Sequence, residues 1–134
     1  MVGILIISHY TLAESMKDTV SFVVGEKENV AALSLNKDDK MEDFAEKLKK
    51  KAAEMDKGDG VMIFADMFGG TPSNVALATF GTAPNVRIIT GFNMPLVIEA
   101  IMHSGKPIEE LSDIINKRKD KTIVDAKAVL ENRG

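Results

Sequence analysis

The chain predicts an α/β fold, a three-layer sandwich on a mainly parallel sheet of order 2-1-3-4. Three observations carry this. Short, near-continuous apolar runs rich in β-branched residues, such as "VGILIIS" and "GVMIFAD", read as strands buried on both faces. Segments with helical apolar spacing alternate with them, which is the signature of parallel strands joined by crossover helices. No linker, repeat or low-complexity segment interrupts the pattern, so residues 1–134 read as one domain.

In order, "VGILIIS" is the first strand. A helix from about Leu12 to Val24 follows, with Thr11 and Glu14 at capping-box spacing and Gly25 as its stop. Leu12, Met16, Val20 and Val23 form its predicted apolar stripe. "NVAALSL" is a second, shorter strand. Between Asp39 and Met55, the residues Met41, Phe44, Leu48, Ala52 and Met55 share a face and predict a second amphipathic helix. "GVMIFAD" is the third strand, followed by a helix from Pro72 to about Phe80. "NVRIIT" is the fourth strand, and "MPLVIEAIMHSG" and "PIEELSDIINKRKD" are two further helices. The tail, "KTIVDAKAVL", begins like a strand and reads either way after Asp125. The lysine-rich "KLKKKAAEMDK" reads as a solvated helix face.

Composition narrows the function classes. Apolar residues make up 45% and charged residues 28%, the balance of a soluble globular protein. A formal charge of -3 argues against a nucleic-acid partner, which calls for an excess of Lys and Arg. The absence of cysteine excludes disulfides, thiol catalysis and cysteine zinc sites. "MVGILII" lacks the basic region and cleavage site of a signal peptide, and no stretch is long enough to span a bilayer; the expected location is cytoplasmic.

The chemistry converges on one crevice. In a sheet of order 2-1-3-4, strands one and three are central neighbours whose helices leave on opposite faces, and ligands bind between their carboxyl ends. One strand ends in Ser8-His9 and the other in Asp66. The turn after Asp66, "MFGGTPSN", places Thr71 as a helix N-cap and Pro72 at the first helical position. Gly69 and Gly70 let the backbone approach a ligand, and the helix N-terminus suits an anion, so the turn reads as a phosphate site. If Asp66 accepts one ring N–H of His9, the other nitrogen keeps its lone pair for a phosphoryl group.

Other chemistries fit less well. There is no GxxxxGK[ST], no GxGxxG after the first strand and no GxSxG. A metal site at His9 and Asp66 needs a further ligand, and His103, near the end of a helix, reads as structural. No metal and no cofactor are expected. Two readings stay open at this level: phosphoryl transfer through His9, and binding of a small phosphorylated metabolite with His9 silent.

The apolar strand ending in "SH", the link "GEKENV", the segment "FADMFGGTPSNVA" and "GFNMPLVIEA" together resemble the IIA component of the mannose-class (mannose, fructose, sorbose) sugar phosphotransferase system, or PTS. The resemblance covers nearly the whole chain. It implies a phosphotransferase whose His9 takes a phosphoryl group from the carrier protein HPr and passes it to the IIB component, with membrane contact only through the IIC and IID components. It implies that Asp66 hydrogen-bonds the histidine, and that Gly70 and Thr71, rather than Ser73, face the phosphate. Phe68 stands where some members carry Trp. It further implies a homodimer in which a C-terminal strand, here "KTIVDAK", lies antiparallel in the partner's sheet. The same fold also serves regulatory proteins and dihydroxyacetone kinase, which form the alternative pathway. Phe22 and Val23 read as ordinary core, with a part in HPr docking as the alternative. The tail, Asn132-Arg133-Gly134, shows no linker and favours a free subunit over an IIAB fusion; the transported sugar is left open.

Overall fold

A computed structural model describes residues 1–132. Arg133 and Gly134, part of the tail on which the free-subunit expectation rests, lie outside the described residues. Four strands, β1 (Gly3–His9), β2 (Val30–Leu35), β3 (Val61–Ala65) and β4 (Val86–Thr90), form an all-parallel sheet of order β2-β1-β3-β4. The helices are α1 (Leu12–Val24), α2 (Met41–Met55), α3 (Thr71–Phe80), α4 (Met94–Met102), α5 (Ile108–Arg118) and α6 (Ala126–Glu131). None of the helices in the described residues is long and apolar enough to cross a membrane.

The twofold alternation of strand side chains sorts the core into two layers. Ile4 and Ile6 of β1, with Met62 and Phe64 of β3, face Ala13 and Val20 of α1, Leu96 to Ile101 of α4, and Leu111 and Ile115 of α5. Leu5, Ile7, Ile63 and Ala65 face the other way, onto Phe44, Leu48 and Ala52 of α2 and Val75 and Ala76 of α3. Both faces of the central strands are therefore covered, which is why they read as unbroken apolar runs. Each fully buried Leu, Ile or Phe contributes about 1.5–3 kcal/mol, so these layers dominate the folding energy.

Three local expectations are corrected. Helix α1 packs through Ala13, Met16, Val20 and Val24, and leaves Leu12, Phe22 and Val23 exposed. The two candidate stripes share Met16 and Val20, and the small Ala13 lets the helix seat closely on the sheet. The capping box does not form. Thr11 sits at φ -84°, ψ 2°, outside the extended region from which a cap side chain reaches the first turn. The buried Ser8 hydroxyl instead accepts from Ala13 N–H at 2.6 Å. Met41 is exposed at the start of α2 and is not part of the core.

The tail forms no strand in the single chain. Lys119–Lys121 make a 3-10 turn, Ile123 and Val124 lie exposed, and α6 starts where Asp125 accepts from Ala128 N–H at 3.0 Å. A strand needs a neighbour for its N–H and C=O groups, and residues 122–125 pair with none of the four strands. Helix α6 buries no residue of its own.

Candidate functional site

The site lies where the strand order reverses. Ile7 of β1 is in register with Ala65 of β3, so the residues just beyond, His9 and Asp66, emerge side by side at the carboxyl edge. Helix α1 leaves on one face and α3 on the other, which opens a crevice between them. Asp66 Oδ2 lies 2.8 Å from His9 Nδ1 and also accepts the His9 backbone N–H at 3.0 Å. Its second oxygen, Oδ1, accepts Met67 N–H at 3.1 Å. The carboxylate is thus fixed at both oxygens, and its side chain is only 10% exposed while that of His9 is 46% exposed. An ionised carboxylate has no proton to give, so the 2.8 Å contact assigns the hydrogen to Nδ1. Nε2 then carries the lone pair.

The turn between β3 and α3 shapes the other side of the ring. Gly69 has φ +86°, a left-handed conformation that suits glycine. Gly70 serves a different need: a Cβ there would lie 2.8 Å from His9 Cε1 and 3.5 Å from Nε2. Its missing side chain makes room for the imidazole itself. Gly70 is also the N-cap residue of α3, so Thr71, expected at the cap, is the first helical residue. The buried Ser73 hydroxyl donates to Gly70 O at 3.0 Å, which pins the turn. Among the described residues, the N–H groups of Gly69, Thr71 and Ser73 and the Thr71 hydroxyl have no protein partner. Unpartnered N–H groups at a helix start attract an anion.

A cleft of about 740 Å³ opens beside the ring, lined by His9, Tyr10, Leu35, Lys37, Met41 and Thr71 among others. His9 is in register with Leu35 of β2, which brings the loop after β2 to the same edge. Tyr10 is the one non-glycine among the described residues with positive φ, at +50°. Its N–H donates to Leu35 O at 2.8 Å, which holds the strained residue in place. Exposed Met67 and Phe68 form an apolar rim.

The structure therefore brings His9, Asp66, Gly70 and Thr71 together, with Gly69 turning the chain between them. It separates His103, which sits at the end of α4, 3.2 Å from Glu99. Sequence reasoning missed Lys37 and Met41 at the cleft, because nothing in "LSLNKDDKM" marks the loop beyond β2 as part of the site. It also paired Ser8 with His9 as a chemical group, whereas the Ser8 hydroxyl caps α1. Tyr10 gave no signal of its conformation, since left-handed backbone is read from Gly or Asn.

Fold and site together define a histidine-bearing α/β domain with an anion-ready turn facing the ring. Residues 3–122 match the family model described as "PTS system fructose IIA component". The chain is 30% identical over 101 residues to the mannose-specific EIIAB component of Escherichia coli, covering 75% of this chain and 31% of that protein. It is 32% identical over 101 residues to the sorbose-specific EIIA component of Klebsiella pneumoniae, covering 75% of this chain and 73% of that one. The crystal structure of the PTS IIA protein associated with the fucose utilization operon of Streptococcus pneumoniae superimposes with a TM-score of 0.84 at 30% identity, over 97% of this chain and 99% of that one. The chain spans about a third of the Escherichia coli relative's length. It belongs to the mannose/fructose/sorbose class of PTS IIA components.

Proposed function

We propose that this chain is a single IIA domain that carries a phosphoryl group on His9 between HPr and a IIB component during sugar uptake. The observation that carries the reading is the His9–Asp66 pair: Nδ1–H is held at 2.8 Å and the lone pair of Nε2 is left beside the turn at Gly70. In the first step Nε2 attacks phosphorus and the P–N bond of the donor phosphohistidine breaks, its electron pair returning to the donor ring. As the His9 ring gains positive charge, Asp66 stabilises it. The N–H groups of the turn and the Thr71 hydroxyl are positioned to take the phosphoryl oxygens. The same step in the other direction delivers the group to IIB. Little covalent chemistry is asked of the protein beyond positioning and charge stabilisation.

Exposed Phe22, Val23, Leu12, Met67 and Phe68 supply apolar surface for a protein partner. The exposed Ile123, Val124, Val129 and Leu130 in the tail support a homodimer in which the tail pairs with the partner's sheet. Contact with the membrane then runs only through IIC and IID, and the location is the cytoplasm.

The test is intact-mass analysis after incubation with phosphoenolpyruvate, enzyme I and HPr, on the wild type and His9→Ala. One acid-labile phosphoryl adduct on the wild type alone is the expected result. An adduct on His9→Ala, or none on a folded wild type, removes the reading; in the second case binding of a phosphorylated metabolite takes its place.

A further inference from the structure

We infer that Lys37, in the loop between β2 and α2, is a positioning residue that draws the phosphoryl group onto His9 and holds its charge. The inference rests on the phosphocarrier reading of His9 and goes beyond the groups that reading uses. Lys37 lines the same cleft as His9 and Thr71, and it is the only permanent cation among the residues that do. Its place is set by the sheet: Leu35 is paired in register with His9, and Lys37 follows two residues on. The loop that carries it is closed on itself. Asp39 Oδ2 accepts Asn36 N–H at 2.7 Å, and Asp39 N–H donates to Asn36 O at 3.1 Å.

The charge arrangement calls for such a cation. Phosphorylated His9 would bring about two negative charges next to the Asp66 carboxylate that orients the ring. The turn offers N–H dipoles but no formal charge, and α3 has no basic residue in its first turn. Asp39, which lines the same cleft, accepts Asn36 N–H, and Lys37 makes no ion pair or hydrogen bond among the described residues, with Asp39 or with the adjacent Asp38. Lys37 is exposed and lines the cleft that the phosphoryl oxygens would enter. Lys37 would thus act on the charge of the transferred group, and Asp66 on the charge of the ring.

The experiment separates this role from partner docking by using two donors. Phosphoramidate is a small donor: His9 Nε2 forms the bond to phosphorus, the P–N bond of the reagent breaks, and ammonia leaves. Phospho-HPr is the protein donor. Wild type, Lys37→Met, Lys37→Arg and the His9→Ala control are labelled with each, at low and at high potassium chloride. The expected result with phosphoramidate is a rate about tenfold lower for Lys37→Met, largely restored in Lys37→Arg. The wild-type rate should fall with salt while that of Lys37→Met stays flat, a dependence that a merely structural role would not produce. Equal phosphoramidate rates for wild type and Lys37→Met overturn the inference. If phosphoramidate behaves as expected and phospho-HPr labels nothing, the carrier reading falls while the Lys37 assignment stands. If neither donor labels the folded wild type, both fall.

Discussion

Asp66 grips His9 twice through a single oxygen: Oδ2 accepts the backbone N–H at 3.0 Å and lies 2.8 Å from ring Nδ1. The double contact fixes where the histidine leaves its strand as well as how its ring is turned. Since Asp66 Oδ1 is tied to Met67 N–H, the carboxylate also joins the ring to the turn that faces it. Ring, carboxylate and turn are therefore linked through the two Asp66 oxygens.

Replacing Asp66 by Asn keeps the shape and removes the charge. The amide oxygen can still take one N–H, but the growing charge on the ring loses its counterpart. Labelling of His9 by phospho-HPr is expected to slow by at least about tenfold. Loss of the partner that orients a ligating histidine costs about 10- to 100-fold, and loss of the carboxylate behind a catalytic histidine can cost far more. Circular dichroism and the thermal midpoint should show a folded protein. A labelling rate within twofold of the wild type would remove Asp66 from the mechanism.

Gly70→Ala tests the space beside the ring. A Cβ at 2.8 Å from His9 Cε1 and 3.0 Å from Met67 Cγ forces one of them to move. Gly70 has φ -79°, which alanine adopts freely, so the backbone need not resist. The expected outcome is a folded protein whose His9 resonances shift in NMR and whose labelling falls severalfold. Unchanged His9 shifts would mean that Met67 alone gives way.

The fold was legible because its signals are redundant. Strands buried on both faces read as unbroken apolar runs, and the helix faces of α2 and α5 repeat over several turns. The site was legible for a related reason: His9 and Asp66 end the two central strands, so topology alone brings them together. What stayed hidden depends on short-range geometry. The rotation of α1 turned on whether Leu12 or Ala13 faced the sheet, and Met16 and Val20 belong to both stripes. The cap moved from Thr11 to Ser8, and the positive φ of Tyr10 between them is not a feature that an aromatic residue signals. Lys37 reached the cleft through strand register, which single-residue patterns do not encode.

The far end of the sheet sets a pH response. Asp56 accepts Gly58 N–H at 2.9 Å, Gly60 N–H at 3.0 Å and Asn85 Nδ2 at 2.7 Å, tying the end of α2 to the starts of β3 and β4. The Asn85 side chain first, then the two backbone N–H groups, hold its carboxyl below the ordinary value of 3.8. Below that ordinary value the unfolded chain takes up the proton before the folded one does. The contribution to stability is therefore complete above about pH 4 and is lost as pH falls through the folded value. Asp56→Ala should cost about 1–2 kcal/mol at neutral pH and flatten the acid side of the stability profile. Parallel urea titrations from pH 2.5 to 7 check both, and parallel acid limbs in the two proteins would contradict the assignment.

Tyr10 offers a test of strain. It holds φ +50° directly after His9, a region where Asn is tolerated and aromatic residues are rare, and its side chain is largely exposed. Tyr10→Asn should therefore stabilise the fold by about 1 kcal/mol, read as a higher urea midpoint with an unchanged slope. A lower midpoint would show that the Tyr10 ring contributes packing that outweighs its backbone cost.

The exposed phenylalanines bear on the partner. Phe22 is 90% exposed on α1 and Phe68 is 78% exposed on the turn beside His9, so neither contributes much to folding. Large aromatics left in water are the residue type that anchors protein interfaces. Phe68 is two residues from Asp66, whereas Phe22 lies in the last turn of α1, about 15 Å along the helix from its start. Phe22→Ser and Phe68→Ser should leave stability within about 0.5 kcal/mol of the wild type. Phosphoramidate labelling of His9, which needs no docking, should stay unchanged in Phe22→Ser. Transfer from phospho-HPr should show a higher KM, by about tenfold for a residue at the centre of the contact, with a smaller change in kcat. Because Phe68 lies two residues from Asp66, an effect on both donors there would indicate a disturbed site, whereas an effect on phospho-HPr alone would mark it as a docking residue. Equal KM values for wild type and Phe22→Ser would move the docking surface away from that end of α1.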